Sequence, residues 1–212
     1  MQAHQTSVAP TAAKREPWNK GKLVGAKPAL RPKDVWSIRT KIQFDGRMRD
    51  LAMFNLAIDS KLRASDVVAL KVEDIAPHGD AVDRATVRQK KTGHPVRFEI
   101  TEQTRQAVND YIRATSKNAG EFLFDSQRRL DRCITTRQYA RLVAIWVKSI
   151  GLDPALFGTH SLRRTKPTLI YRRTGNLRAV QLLLGHNKIE NTVRYLGVEV
   201  DDAIAIAERL DV

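Results

Sequence analysis

A mainly helical α+β domain with one small antiparallel β-sheet is the fold class that this sequence predicts. Apolar residues recur at spacings of three and four through most of the chain, which is the period of amphipathic helices. One stretch, residues 84–100, switches to period two, the period of strands. Glycines fall where the helical stripes end, as at Gly151, Gly175 and Gly185.

From Lys33 onward the elements follow in order. Val35, Ile38 and Ile42 form one stripe and Leu51, Phe54 and Ile58 a second, so two amphipathic helices are expected on a shared core. Residues 65–70 read as a short capped helix after Arg63. Residues 84–100 read as a β-hairpin whose turn is Lys91-Thr92-Gly93-His94, with Lys91 near the tip. Residues 102–116 look helical, and Phe122-Leu123-Phe124 is a short buried piece. Tyr139, Leu142, Val143, Trp146 and Ile150 make the clearest helical stripe, ended by Gly151. A further helix is expected near Ser161 and another near Leu177, with Gly175-Asn176 between them and Gly185 as a stop before His186. Tyr195 falls on or just after a short helix, and Ile204, Ala207 and Leu210 outline a terminal amphipathic helix.

The 212 residues suffice for one domain with a core. Residues 1–32 differ from the rest. They hold Pro10, Pro17, Pro28 and Pro32 and a run of lysines and arginines with little to bury, so they are expected to be a flexible basic arm ahead of a domain at 33–212. Two readings of the arm stand side by side, a solvated tail and a segment that lies along phosphates.

With 37 Lys and Arg against 23 Asp and Glu, the net charge is +14, and a polyanion, above all double-stranded DNA, is the expected partner. No apolar run approaches the roughly 18 to 20 residues of a membrane-spanning helix, so no membrane partner and a cytoplasmic location are expected. The single cysteine, Cys133, excludes an intrachain disulfide and a Cys-rich zinc site, and it reads as structural. Neither a Walker glycine loop nor an acidic metal cluster stands near the basic residues, so no cofactor and no metal are expected.

Chemistry concentrates in the last third, where Thr159-His160-Ser161-Leu162-Arg163-Arg164 is followed by Leu184-Gly185-His186 and then by Tyr195. Two guanidiniums can clamp a phosphate, imidazoles can hydrogen-bond its oxygens or move protons, and a phenol can attack phosphorus. Arg63 and Lys91 extend the set upstream. Each residue alone has an ordinary reading: Arg63 and Lys91 as surface cations, His160 as a cap, His186 as a residue after a helix, Tyr195 as core. Tyr171, close to His160 in sequence, is a competing phenol and is assigned to structure.

In order, the chain offers Arg63, Lys91, His160-x-x-Arg163, Leu184-Gly185-His186 and Tyr195. This order resembles the tyrosine recombinases, or phage integrase family, over about residues 33–212. The resemblance implies that family's catalytic-domain fold and a DNA strand transferase that needs neither metal nor ATP. It implies Arg63 and Arg163 on the scissile phosphate, His160 in proton traffic, His186 donating to the phosphate, Lys91 as general acid and Tyr195 as nucleophile. It also implies a tetramer on paired DNA sites in which the terminal helix docks on a neighbouring subunit, and room for accessory DNA-bending proteins. Most relatives carry a further helical domain ahead of the catalytic one, where this chain has residues 1–32. Pro167, inside the helix of Arg163, suggests a kink or a late helix start. Two rival readings share the resemblance: a type IB topoisomerase, and a DNA-binding regulator descended from a recombinase that no longer cuts.

Overall fold

A computed structural model of the protein describes residues 27–126, 129–197, 204 and 208. Helix α1 (Pro32–Phe44) packs on α2 (Met48–Ser60), followed by the one-turn helices α3 (Ala64–Val67) and α4 (Val72–Ile75). Strands β1 (Arg84–Arg88) and β2 (Pro95–Glu99) form the antiparallel hairpin, paired from Arg84 with Glu99 to Arg88 with Pro95. Helix α5 (Glu102–Thr115) covers α2. A second antiparallel pair, β3 (Asp125–Ser126) and β4 (Arg129–Cys133), was not expected from the sequence. The chain then runs through α6 (Thr136–Lys148), α7 (Thr159–Thr174), α8 (Leu177–Leu184) and α9 (Ile189–Leu196).

The expected stripes are the core. Ile38, Ile42, Phe54, Val143 and Trp146 are fully or almost fully buried. Trp146 meets Phe54 edge-on at 5.7 Å and Tyr139 at 6.3 Å, and its indole N–H donates to Asp50 at 3.1 Å. That donation satisfies the one polar atom of a side chain whose burial contributes about 3 kcal/mol. Thr135 and Gln138 form a reciprocal capping box at the start of α6, with bonds of 3.1 and 2.8 Å. Gly175 and Gly185 close α7 and α8 in the left-handed conformation, both at φ 64°, as their place in the sequence suggests. Among the described residues no helix is long and apolar enough to cross a membrane.

Two features of the fold position the site. A four-charge network joins α2, β2 and α7: Lys61 Nζ donates to both oxygens of Glu99 at 3.0 and 2.8 Å, and Lys166 Nζ reaches Glu99 at 2.6 Å and Asp59 at 2.7 Å. Asp59 also accepts from the Thr101 and Thr104 hydroxyls at 2.7 and 2.6 Å. The second feature is a strap, residues 27–31. Leu30 is buried, and its N–H donates to Thr165 Oγ1 at 3.1 Å on α7. The boundary expected at 32/33 therefore cuts through residues that pack on the body; a lone leucine among prolines and lysines gave no periodic signal.

Helix α7 begins at Thr159 and runs through Pro167, so the late start that Pro167 suggested does not occur. Of the terminal helix, only Ile204, half exposed, and Glu208, whose N–H donates to the Ile204 carbonyl at 2.9 Å, are among the described residues. Ala207 and Leu210 lie outside them.

Candidate active site

Arg63 sits at the extended N-cap of α3, just past Lys61, a non-glycine residue in the left-handed conformation at φ 56°. This turn aims the Arg63 guanidinium at the hairpin, where it donates to Gln89 Oε1 at 2.5 Å. Gln89 follows β1, is 1% exposed and also accepts from the Thr92 hydroxyl at 2.9 Å. Its Nε2 donates to the Leu184 carbonyl at 3.3 Å, and Arg163 Nη2 donates to the same carbonyl at 3.0 Å. One glutamine and one carbonyl thus tie Arg63, the hairpin and Arg163 into a single cluster.

Arg163 is 3% exposed, and its Nε is buried without a hydrogen-bond partner. Burial lowers its pKa, and the nearby charge of Arg63 acts in the same direction. Tyr195, on α9, lies against this helix with the Arg163 guanidinium 5.8 Å and the Arg164 guanidinium 4.5 Å from its ring centre. Its hydroxyl is buried and lacks a well-formed hydrogen bond. Burial raises the phenol's pKa, opposed by the charges of Arg163 and Arg164.

His186 stands edge-on to Tyr195 at 5.5 Å. Its Nδ1 lies 3.1 Å from the hydroxyl of Thr192, which is fully buried on α9. Burial and the charges of Arg163 and Arg63 push its pKa down to about 4, so the ring is neutral near pH 7. Gln181 fixes the backbone around it by donating to the carbonyls of His186 and Asn187 at 2.9 and 3.2 Å. Gly185 is required twice: by its left-handed backbone, and because a Cβ there would lie 2.5 Å from Val96 Cγ2 and 3.1 Å from Gln89 Nε2. The Leu184-Gly185-His186 segment is where α8 meets the hairpin.

His160 is on the first turn of α7; burial, then the charges of Arg163, Arg164, Arg63 and Lys27, lower its pKa. Arg63, His160, Arg163, His186 and Tyr195 thus share one neighbourhood. Lys91 stands exposed at the hairpin turn, and among the described residues no hydrogen bond or ion pair joins it to the other five. The sequence did not single out Gln89, Thr192, Gln181 or Arg164. Gln89 had a legible signal: it continues the inward parity of Ala85 and Val87, where a polar residue needs a buried partner.

The chain matches the phage integrase family over residues 29–201 and belongs to it. A probable integrase/recombinase, YoeC of Bacillus subtilis, is 31% identical over 153 residues, covering 72% of this chain and 80% of YoeC. The tyrosine recombinase XerC of Caldanaerobacter subterraneus is 32% identical over 160 residues, 73% of this chain but 42% of that protein. The chain thus spans less than half of that relative and most of YoeC. The crystal structure of XerA recombinase superimposes with a TM-score of 0.69 at 20% identity, covering 89% of this chain and 67% of that one. The XerH site-specific recombinase bound to its difH substrate gives 0.67 at 18% identity, covering 86% and 54%. The fold expected from the sequence is therefore the observed one.

Proposed function

We propose that this protein is a site-specific DNA recombinase or integrase that cuts and rejoins DNA strands through a 3′-phosphotyrosyl intermediate on Tyr195. One observation carries the reading: two arginines distant in sequence and a buried phenol meet with open hydrogen-bonding capacity at Arg163 Nε and Tyr195 Oη. Such groups suit an anion that supplies the missing acceptors.

In this reaction Tyr195 Oη attacks phosphorus, His160 takes the phenol's proton, and Arg63 and Arg163 neutralise the charge that builds on the non-bridging oxygens. His186, held neutral, donates from Nε2 while its Nδ1 is engaged with Thr192. The bond from phosphorus to the 5′ oxygen breaks, and Lys91 gives that oxygen its proton once DNA draws the hairpin in. Attack by another strand's 5′-hydroxyl reverses the sequence and frees Tyr195. The phosphotyrosyl bond conserves the energy of the broken one, so neither ATP nor a metal is called for. Strand exchange is assigned to a tetramer on paired sites in the cytoplasm, with the terminal helix as the contact between subunits and accessory DNA-bending proteins as helpers.

The test is a pool of duplexes carrying bridging 5′-phosphorothiolates, whose thiol leaving group cannot religate. A covalent protein–DNA adduct that is lost in Tyr195→Phe supports the reading, and its absence from the wild type sinks it. Exchange between two duplexes separates a recombinase from a topoisomerase.

A further inference from the structure

Arg164 follows Arg163 on α7 and faces the nucleophile as well as the strap. Its guanidinium carbon lies 4.5 Å from the centre of the Tyr195 ring, closer than that of Arg163, and its Nη1 donates to the Lys27 carbonyl at 3.2 Å. Lys27 in turn grips the loop that precedes α7. Its Nζ donates to the carbonyls of Ala155 and Phe157 at 3.1 and 2.8 Å, and a Cβ on Gly158 would lie 3.3 Å from its side chain. Two residues on, His160 begins the catalytic run. Leu30 N–H on Thr165 Oγ1 anchors the other end of the strap, and Thr165 itself donates back to the Ser161 carbonyl at 2.7 Å. The strap therefore holds α7 on both sides of Arg163.

We propose that Arg164 is a positioning residue for Tyr195 and that the strap holds it there, so that the segment ahead of α1 governs the setting of the nucleophile. The inference rests on the reading of Tyr195 as nucleophile. A guanidinium over an aromatic face favours one ring placement. The same guanidinium cannot turn away while the Lys27 carbonyl holds it. The charge of Arg164 also favours the phenolate that the reaction passes through. Seating the strap thus sets the nucleophile's geometry without any strap residue touching it.

The experiment uses the full chain with Arg164→Gln, Arg164→Lys, Lys27→Met and the Arg164→Gln/Lys27→Met double variant. Lys27 is exposed, so Lys27→Met does not threaten folding. Adduct formation on the phosphorothiolate pool, affinity for the same DNA, and hydrogen exchange of the Leu30 amide are measured together. Arg164→Gln is expected to slow adduct formation about tenfold, the size of one cation–π contact with one hydrogen bond, with DNA affinity within about threefold of wild type. Arg164→Lys recovers most of that rate. Lys27→Met speeds Leu30 exchange and slows the adduct about threefold, the size of a weak exposed bond. The double variant is no slower than Arg164→Gln alone, because the strap acts through Arg164. Wild-type adduct rates in Arg164→Gln, or equal Lys27→Met penalties in both backgrounds, overturn the proposal. Should the wild type form no adduct, the strand-cleavage reading fails; unchanged Leu30 exchange in Arg164→Gln would separately overturn the link between Arg164 and the strap.

Discussion

Gln89 and Arg163 converge on one oxygen: both donate to the carbonyl of Leu184, at 3.3 and 3.0 Å. Leu184 ends α8, so its carbonyl has no partner within the helix and sits at the negative end of the helix dipole. A helix end thereby becomes the acceptor that sets the Arg163 guanidinium. Gln89→Leu should remove three bonds at once, those with Arg63, Thr92 and the Leu184 carbonyl, and so free Arg63. We expect a loss of about 1–3 kcal/mol in denaturant unfolding, typical of orphaned buried donors. Adduct formation should fall at least tenfold, and an unchanged rate would remove Gln89 from the site.

Gly185→Ala should displace the hairpin, since its Cβ would overlap Val96 Cγ2 and the backbone is left-handed. The expected cost is about 1–3 kcal/mol. Val96→Ala in the same chain should restore part of the loss by removing the clashing methyl. Thermal unfolding of the two variants checks it, and no rescue would mean that backbone strain alone sets the cost.

The two histidines make stability depend on pH. His186 is held at about 4, and His160 is also lowered, both chiefly by burial. With an unfolded value of about 6.5, each binds more protons in the unfolded chain, so stability is full above that pH and declines as pH falls toward 4. Melting temperature should therefore drop across this window and drop less in His186→Asn. A wild-type profile no steeper than the variant's would count against the burial of His186.

Lys91→Ala should nearly abolish cleavage of ordinary DNA yet spare cleavage of the phosphorothiolate, because a thiolate leaves without a proton. Equal losses on both substrates would show that Lys91 binds phosphate and transfers no proton.

In the charge network, the two partners should not be equivalent. Glu99→Gln leaves Lys61, whose side chain is fully buried, without its carboxylate, whereas Lys61→Met leaves Glu99 40% exposed and still paired with Lys166. Glu99→Gln is therefore expected to cost about 3 kcal/mol and Lys61→Met clearly less, by chemical denaturation.

Much of this was legible because helical and strand periods report burial directly. The stripe of Tyr139, Val143 and Trp146 and the period-two stretch 84–100 appear as α6 and the β1–β2 hairpin. The β3–β4 pair was not legible, since two residues in one strand are too few to set a period. Arg63, His160, Arg163, His186 and Tyr195 lie in one neighbourhood, while Lys91 stands apart at the exposed hairpin turn. What escaped were the groups that hold them: Gln89, Thr192 and Gln181 are uncharged and look like ordinary polar residues until their burial is known. The strap was hidden by its composition, because Lys27 and Leu30 act through single contacts that no repeat announces.

The acceptors around the cations also set the electrostatic balance between Arg63 and Arg163. Arg63 rests on a neutral amide and Arg163 on a neutral carbonyl, and among the described residues no carboxylate bonds directly to either; burial and the nearby charge of Arg63 both weigh against the charge on Arg163, offset in part by Tyr195 and by buried Asp66. An anion between the two guanidiniums would meet both positive charges at once, so sulfate or short duplex DNA should raise the melting temperature.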